Sequence, residues 1–320
     1  MKRLTVLTAF FMFSACVFCH AGREDSMAGR FIPKNGKTIL FAGQNNMSVS
    51  KYVKSVKTVP AGFMFYTALT DLNSLTKDTD FGAGETSGSF ILKNYPKAAV
   101  QIGLYLVNSL DNVIEGSLDA EIKELGDWMK EAGVPVFLRI GYEFDYPENM
   151  YEPEKYIKAY RYIVDKLDEF GVTNAAYVWH SYASSNPVGI EAWYPGDEYV
   201  DWCAISYFTN PQWIPMVNFA KKHSKPLMIA ECAPMLGHDK TVEQKAEWYG
   251  KLFRFIDKYN VKALCYINAD WDSMPMFEGY KWGNDMLGAD KEIVKLWKEK
   301  ISGGRFINFK ELYKNTDFKN

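Results

Sequence analysis

Two glutamates stand where a buried-looking apolar run meets a turn. Glu143 lies in Gly141-Tyr142-Glu143-Phe144-Asp145, just after Pro135-Val136-Phe137-Leu138-Arg139-Ile140. Glu231 opens Glu231-Cys232-Ala233-Pro234, just after Pro226-Leu227-Met228-Ile229-Ala230. A charge at the end of a buried strand is costly unless it finds partners or water, so both glutamates are expected to open onto a polar cavity. Two carboxylates flanking a cleft can break a glycosidic bond. One stays protonated and hands its proton to the leaving oxygen, while the other stays ionised and meets the developing positive charge. The plainer alternative is a structural ion pair, with Arg139 pointing inward to satisfy one glutamate. Most of the 39 Asp and Glu residues have no such placement. Glu121, Glu124 and Glu243 fall on helix-like segments and read as solvated faces.

The elements that would carry these groups alternate along the chain. Strand-like runs are predicted at 38–42, 62–67, 98–106, 134–140, 175–179, 202–207, 226–230 and 263–268. Most are continuously apolar, as in strands covered on both faces. Between them, 117–132 places Leu118, Ile122, Leu125 and Met129 at helical spacing and is closed by Gly133. A second helix, 153–170, lines up Tyr156, Tyr160, Ile163 and Leu167 ahead of Gly171. Helices are also predicted at 241–259, through Trp248, Leu252 and Phe255, and at 287–301. Shorter segments follow the first, second, fifth and sixth strands. Eight strands alternating with about eight helices fit an α/β fold, a single (β/α)8 TIM barrel over 38–320. An open doubly wound sheet is the runner-up, but no GxGxxG follows an early strand. In a barrel the strand ends converge on one pocket, so the wide sequence separation of Glu143 and Glu231 does not keep them apart.

Composition narrows the partners. Charged residues nearly cancel, 37 − 39 = −2, which argues against nucleic acid. Aromatics make up 16% of the chain, more than a core usually needs, which suits a binding cleft. Residues 1–21 read as a secretory leader: a basic Lys2-Arg3 start, an apolar stretch, then Cys19-His20-Ala21 as a cleavage site. Lipidation at Cys16, in the loose lipobox Phe13-Ser14-Ala15-Cys16, is the second option for an exported chain. A polar segment, 22–37, precedes the barrel. Cys203, Cys232 and Cys265 lie in or beside apolar runs and read as small buried hydrophobes, although one bridge stays open. No residue pattern calls for a metal or an organic cofactor. No membrane-spanning segment is expected, and a monomer is.

With these residues in hand, the chain resembles glycoside hydrolase family 26, which holds endo-acting β-mannanases, β-1,3-xylanases and mixed-linkage glucanases. Four stretches carry the likeness: 139–145, 193–202, 225–233 and 268–271. The string Tyr194-Pro195-Gly196-Asp197-Glu198-Tyr199-Val200-Asp201-Trp202 is the most specific. The resemblance implies that Glu143 is the acid/base and Glu231 the nucleophile of a retaining double displacement, with Glu231 the more acidic. It further implies carboxyl groups about 5–5.5 Å apart and a hydrogen bond from Tyr207 to the nucleophile. Mannanases of the family usually carry His before the acid/base, whereas this chain has Tyr142. Tyr142-Glu143-Phe144-Asp145 is closer to the β-1,3-xylanase branch, with a β-mannanase as the alternative. Sugar contacts are expected from Arg139, Tyr142, Asp145, Trp179, His180, Tyr207 and Tyr105, and from Trp271 as the floor of a subsite. Trp179 could equally be barrel core, and His180 a structural histidine. Trp193 and Trp213 either line the cleft or cap helices, while Trp128, Trp248 and Trp297 read as packing. A polysaccharide or oligosaccharide is the implied partner. Two other classes compete, a non-catalytic carbohydrate-binding barrel and a barrel lyase or isomerase with a phosphate loop; that loop is not evident.

Overall fold

Strands that are apolar on both faces must be covered on both faces, and a closed barrel supplies one layer inside and another outside. The computed structural model describes residues 27–183, 187–209 and 212–318. Its barrel strands are β1 Thr38–Gly43, β2 Gly62–Ala68, β3 Ala99–Tyr105, β4 Val136–Ile140, β5 Ala175–Ser181, β6 Trp202–Tyr207, β7 Leu227–Cys232 and β8 Ala263–Ile267. Each pairs in parallel with the next, and β8 returns to β1 with Ile39 opposite Ala263, so the sheet closes as expected. The expected leader and Cys16 lie outside the described residues.

Helices α1 Asn46–Val56, α2 Gly88–Asn94, α3 Leu110–Ile114, α4 Asp119–Ala132, α5 Pro153–Glu169, α6 Ile214–Lys222, α7 Val242–Lys258 and α8 Lys291–Ile301 occupy the connections. The stop and start signals work locally. Gly133 ends α4 in a left-handed conformation at φ 61°, and Thr241 with Gln244 forms a capping box on α7. Two expectations are corrected. The segment 287–301 is not one helix: Leu287–Ala289 makes a 3-10 turn, and the Asp290 side chain caps a new helix by accepting from the Glu292 and Ile293 amides. Between β5 and β6 the described residues hold only a 3-10 turn, Ile190–Trp193.

Alternation along each strand sorts side chains into two apolar layers. Phe63, Ile102, Leu138, Trp179, Ile205, Ile229 and Leu264 face the helices. Phe41, Met64, Phe137, Val178, Ala204, Met228 and Cys265 fill the barrel. Phe31 plugs the amino-terminal end, edge-on to Phe137 at 5.9 Å and to Phe318 at 5.3 Å. Cys203, Cys232 and Cys265 are buried and unbridged. Among the described residues no helix is long and apolar enough to cross a membrane.

Trp179 settles one alternative. It is 0% exposed and stacks on Phe144 at 4.7 Å and 4°, in the layer beneath the helices. Its size and burial place Trp179→Ala among the costly core truncations, about 3–5 kcal/mol, read as a lower urea midpoint. Because Phe144 follows Glu143, the same variant should also loosen the loop that carries the glutamate.

Candidate active site

Toward the carboxyl ends of the strands the barrel interior turns polar. The inward positions there are Tyr66 on β2, Gln101 on β3, Arg139 on β4, His180 on β5, Ser206 on β6 and Glu231 on β7. Arg139 is 0% exposed and paired with Glu231 Oε1. Its guanidinium lies 5.3 Å from the Tyr66 ring centroid and 5.2 Å from that of Tyr142. Burial alone would lower its pKa, but the Glu231 charge, Tyr66 and the hydrogen bonds to both together hold it raised. Gly103 leaves the space: a Cβ there would stand 2.8 Å from Arg139 Nη2 and 2.5 Å from Tyr66 Cδ1.

Glu231 faces inward because β7 carries a bulge. Ile205 pairs with Ile229, yet Ser206 pairs with Glu231, and the ladder to β8 slips over the same stretch. Strict alternation after Met228 and Ala230 would turn Glu231 toward the helices. The extra residue resets the period, so Glu231 enters the barrel mouth and Cys232 joins the outer layer. The displaced Ala230 carbonyl is not left orphaned, since Gln101 Nε2 donates to it at 2.9 Å. Glu231 Oε1 also accepts from the Tyr66 hydroxyl at 2.8 Å. A hydrogen bond to a charged group is worth about 1.5–3 kcal/mol. Tyr66→Phe should therefore lower the melting temperature, and lower kcat by roughly one to two orders of magnitude as Glu231 loses a partner that holds it; steady-state kinetics beside a thermal melt checks both.

Glu143 sits in the turn after β4 with a left-handed backbone, φ 53°, a conformation that costs a non-glycine residue about 1–2 kcal/mol. Surrounding bonds hold it there. Asn149 Nδ2 donates to the Glu143 carbonyl at 2.9 Å, and the Phe144 amide donates to the His180 carbonyl at 3.1 Å. Its side chain is partly open to the cleft, and Oε1 accepts from the Ser206 hydroxyl at 2.5 Å. Burial first, and then the charge of Glu231, push its pKa up to about 8; the Ser206 bond works against both. Glu143 is thus a carboxyl that keeps its proton near neutrality.

The remaining expected contacts divide. Tyr142 is half-buried, its ring 5.4 Å from Tyr66 and 6.3 Å from Tyr105, and Tyr105 is 41% exposed, so these two offer aromatic surface beside the glutamates. Others are corrected. Tyr207 does not reach Glu231: β6 sends Trp202, Ala204 and Ser206 inward, while Tyr207 stacks on Trp213 at 4.0 Å in the outer layer. Trp213 is therefore packed there as well. Trp179 is core, as above. Arg139 and His180 are fully buried and act on other side chains, not on a sugar. Asp145 is buried and accepts from Ser181 Oγ and the Tyr182 amide, both at 2.6 Å, tying the β4 and β5 connections together. Trp271 is 2% exposed, edge-on to Phe277 and Trp282, with its Nε1 donating to Asp285 at 2.9 Å. Its position beyond β8 is as expected, but it offers almost no open face.

Tyr66, Gln101 and Ser206 escape the sequence reading. Counting alternation back from the last inward residue of each strand would find Tyr66 and Ser206. Gln101 is detectable as a lone amide inside an otherwise apolar strand. Among the described residues no group of three or more His, Cys, Asp or Glu gathers as a metal site.

Comparison with known proteins agrees with the barrel fold. The sequence pattern of Glycosyl hydrolase family 26 matches residues 96–260. A β-1,3-xylanase of Alcaligenes sp is 30% identical over 343 aligned residues, spanning 96% of this chain and 71% of that protein. The β-1,3-xylanase TXYA of Vibrio sp is 31% identical and spans 96% and 73%. Among solved structures, the family 26 β-mannanase BoMan26A of Bacteroides ovatus superposes with a TM-score of 0.65 at 14% identity, covering 89% of this chain and 95% of that one. A modular endo-β-1,4-mannanase of Cellulomonas fimi gives 0.64 at 14% identity, covering 89% and 74%; both likenesses speak to the fold. The chain is a glycoside hydrolase and belongs to glycosyl hydrolase family 26.

Proposed function

We propose that the protein cleaves β-1,3-xylan or a closely related β-linked polysaccharide internally and with retention, using Glu231 as nucleophile and Glu143 as acid/base. The observation that carries this reading is the contrast within the pair: Glu231 is held by Arg139 and Tyr66, while Glu143 is held protonated beside it. Names of relatives support the substrate, since β-1,3-xylanases align over nearly the whole chain. Tyr142 in place of the mannanase histidine points the same way.

The chemistry follows in two steps. Glu231 attacks the anomeric carbon as the C–O bond breaks, and Glu143 gives its proton to the departing sugar oxygen. Ester formation removes the charge of Glu231, which is the second cause of the raised pKa of Glu143. Glu143 is then left more acidic and ionised, able to take a proton from the water that attacks the ester and frees Glu231. The leader-like residues 1–21 support a site of action outside the cytoplasm.

The test is reducing-sugar release against β-1,3-xylan, β-1,4-mannan, galactomannan and mixed-linkage glucan, with the anomer of the first product read by NMR. Release from β-1,3-xylan as the β-anomer supports the reading. Release only from a mannan moves the substrate to the β-mannanase alternative, and α-anomer product sinks the retaining mechanism. Binding without release would mean a carbohydrate-binding barrel.

A further inference from the structure

A chain of side chains joins the two glutamates through the barrel interior. Arg139 Nη1, paired with Glu231, also lies 3.3 Å from His180 Nδ1. His180 Nε2 lies 3.0 Å from Ser206 Oγ, and Ser206 Oγ lies 2.5 Å from Glu143 Oε1. His180 is 0% exposed, as are Arg139 and Ser206.

The donor count fixes every direction in this chain. A guanidinium has donors and no acceptor, so His180 Nδ1 must accept. Burial, and then the charge of Arg139, keep the imidazole neutral, so its one proton is on Nε2 and is given to Ser206. The Ser206 oxygen accepts from His180, and its own proton, which meets no other acceptor among the described residues, is donated to Glu143 Oε1. An oxygen that accepts a hydrogen bond along this line is not the one to carry the acid proton. Glu143 Oε2 makes no hydrogen bond among the described residues, and Glu143 is partly open to the cleft.

We infer that His180 and Ser206 are positioning residues for the acid step, fixing the proton of Glu143 on Oε2, the oxygen left free for the glycosidic oxygen. The inference rests on the acid/base role of Glu143 proposed above and adds how its proton is aimed. The line orients and does not conduct. It ends at Arg139, which neither gives up nor takes a proton, so the proton that leaves Oε2 for the sugar is regained there from water.

The test compares phenyl and 2,4-dinitrophenyl β-glycosides, as xylobiosides and mannobiosides in parallel, judged on whichever sugar the wild type cleaves. Phenol leaves poorly and needs the acid, whereas dinitrophenolate leaves unaided. Ser206→Ala and His180→Leu should lose about 10²–10³-fold in kcat/KM on the phenyl glycoside and less than about threefold on the dinitrophenyl glycoside. His180→Gln keeps an acceptor and a donor on one amide, and Ser206→Thr keeps the hydroxyl; both should recover most of the loss. Equal losses on both glycosides, or none on either, would overturn the inference. So would His180→Gln behaving as His180→Leu while both melt as wild type does. Glu143→Ala in the same assay separates the two readings. If it shows the leaving-group split and Ser206→Ala does not, only the positioning role fails; if it does not, the acid/base assignment fails first.

Discussion

Glu231→Ala loses turnover by on the order of 10⁴-fold or more, the scale on which removing a covalent nucleophile is felt, and azide restores a measurable part of it. The rescued product is the glycosyl azide of inverted configuration, because the anion attacks from the face the carboxylate occupied. The same substitution strands Arg139. Removing one partner of a buried ion pair costs about 3–5 kcal/mol through the uncompensated charge, so Glu231→Ala melts well below the wild type. Azide should then do two things at once, raising the melting temperature of the variant as it settles beside Arg139 and restoring turnover. Wild type, with the site filled, shows neither response. Kinetics and melts over an azide series check the pair of effects. Loss of activity without rescue, in a variant shown to be folded, would remove Glu231 from the nucleophile's role.

Glu143→Ala divides substrates. Polysaccharide cleavage falls by about 10²–10⁴-fold, the usual worth of a general acid, while an aryl glycoside with a good leaving group still forms the ester. Its hydrolysis then lags for want of a base, giving a burst of aryl alcohol followed by slow turnover. The wild-type pH profile follows from the same group. With Glu143 titrating at about 8 in the folded protein, kcat/KM on polysaccharide falls above that pH as the acid proton is lost. Stability carries a related signature. The folded pKa lies above the ordinary value of 4.5, so the contribution of this carboxyl to stability is full below about 4.5 and is lost as the pH rises through about 8. Glu143→Gln should gain in melting temperature relative to wild type at pH 9 and show no such gain at pH 4. A gain independent of pH would refute the raised pKa.

Much of this is legible in the sequence. Apolar runs covered on both faces, with helical spacing between them, specify a barrel, and Gly133 and Thr241 mark helix ends locally. The glutamates are found by their place at the ends of such runs. What escapes has definite physical causes. The β7 bulge cannot be seen in Leu227-Met228-Ile229-Ala230-Glu231-Cys232, where plain alternation points Glu231 the wrong way; only pairing with β6 and β8 reveals it. Tyr207 is misplaced by one residue, which in a strand means the opposite face. Exposure is a property of the whole surroundings, so nothing local to Trp179 or Trp271 says that neighbours cover them. Asp290 interrupting 287–301 is the weakest signal, a cap inside a run that keeps helical spacing on either side.

The floor of the barrel bears on how the enzyme meets its polymer. The Ala28 amide donates to the Ser224 carbonyl, and the Phe31 ring closes the underside against Phe137. The Lys34 amide donates to the Asn315 carbonyl, while Phe318 packs on Phe31. Both described ends of the chain are therefore gathered on the face opposite Glu143 and Glu231. The described chain begins and ends on that underside. A tether there would hold the mouth outward, so mooring the enzyme to a surface and presenting it to a glycan in front of that surface are compatible by construction.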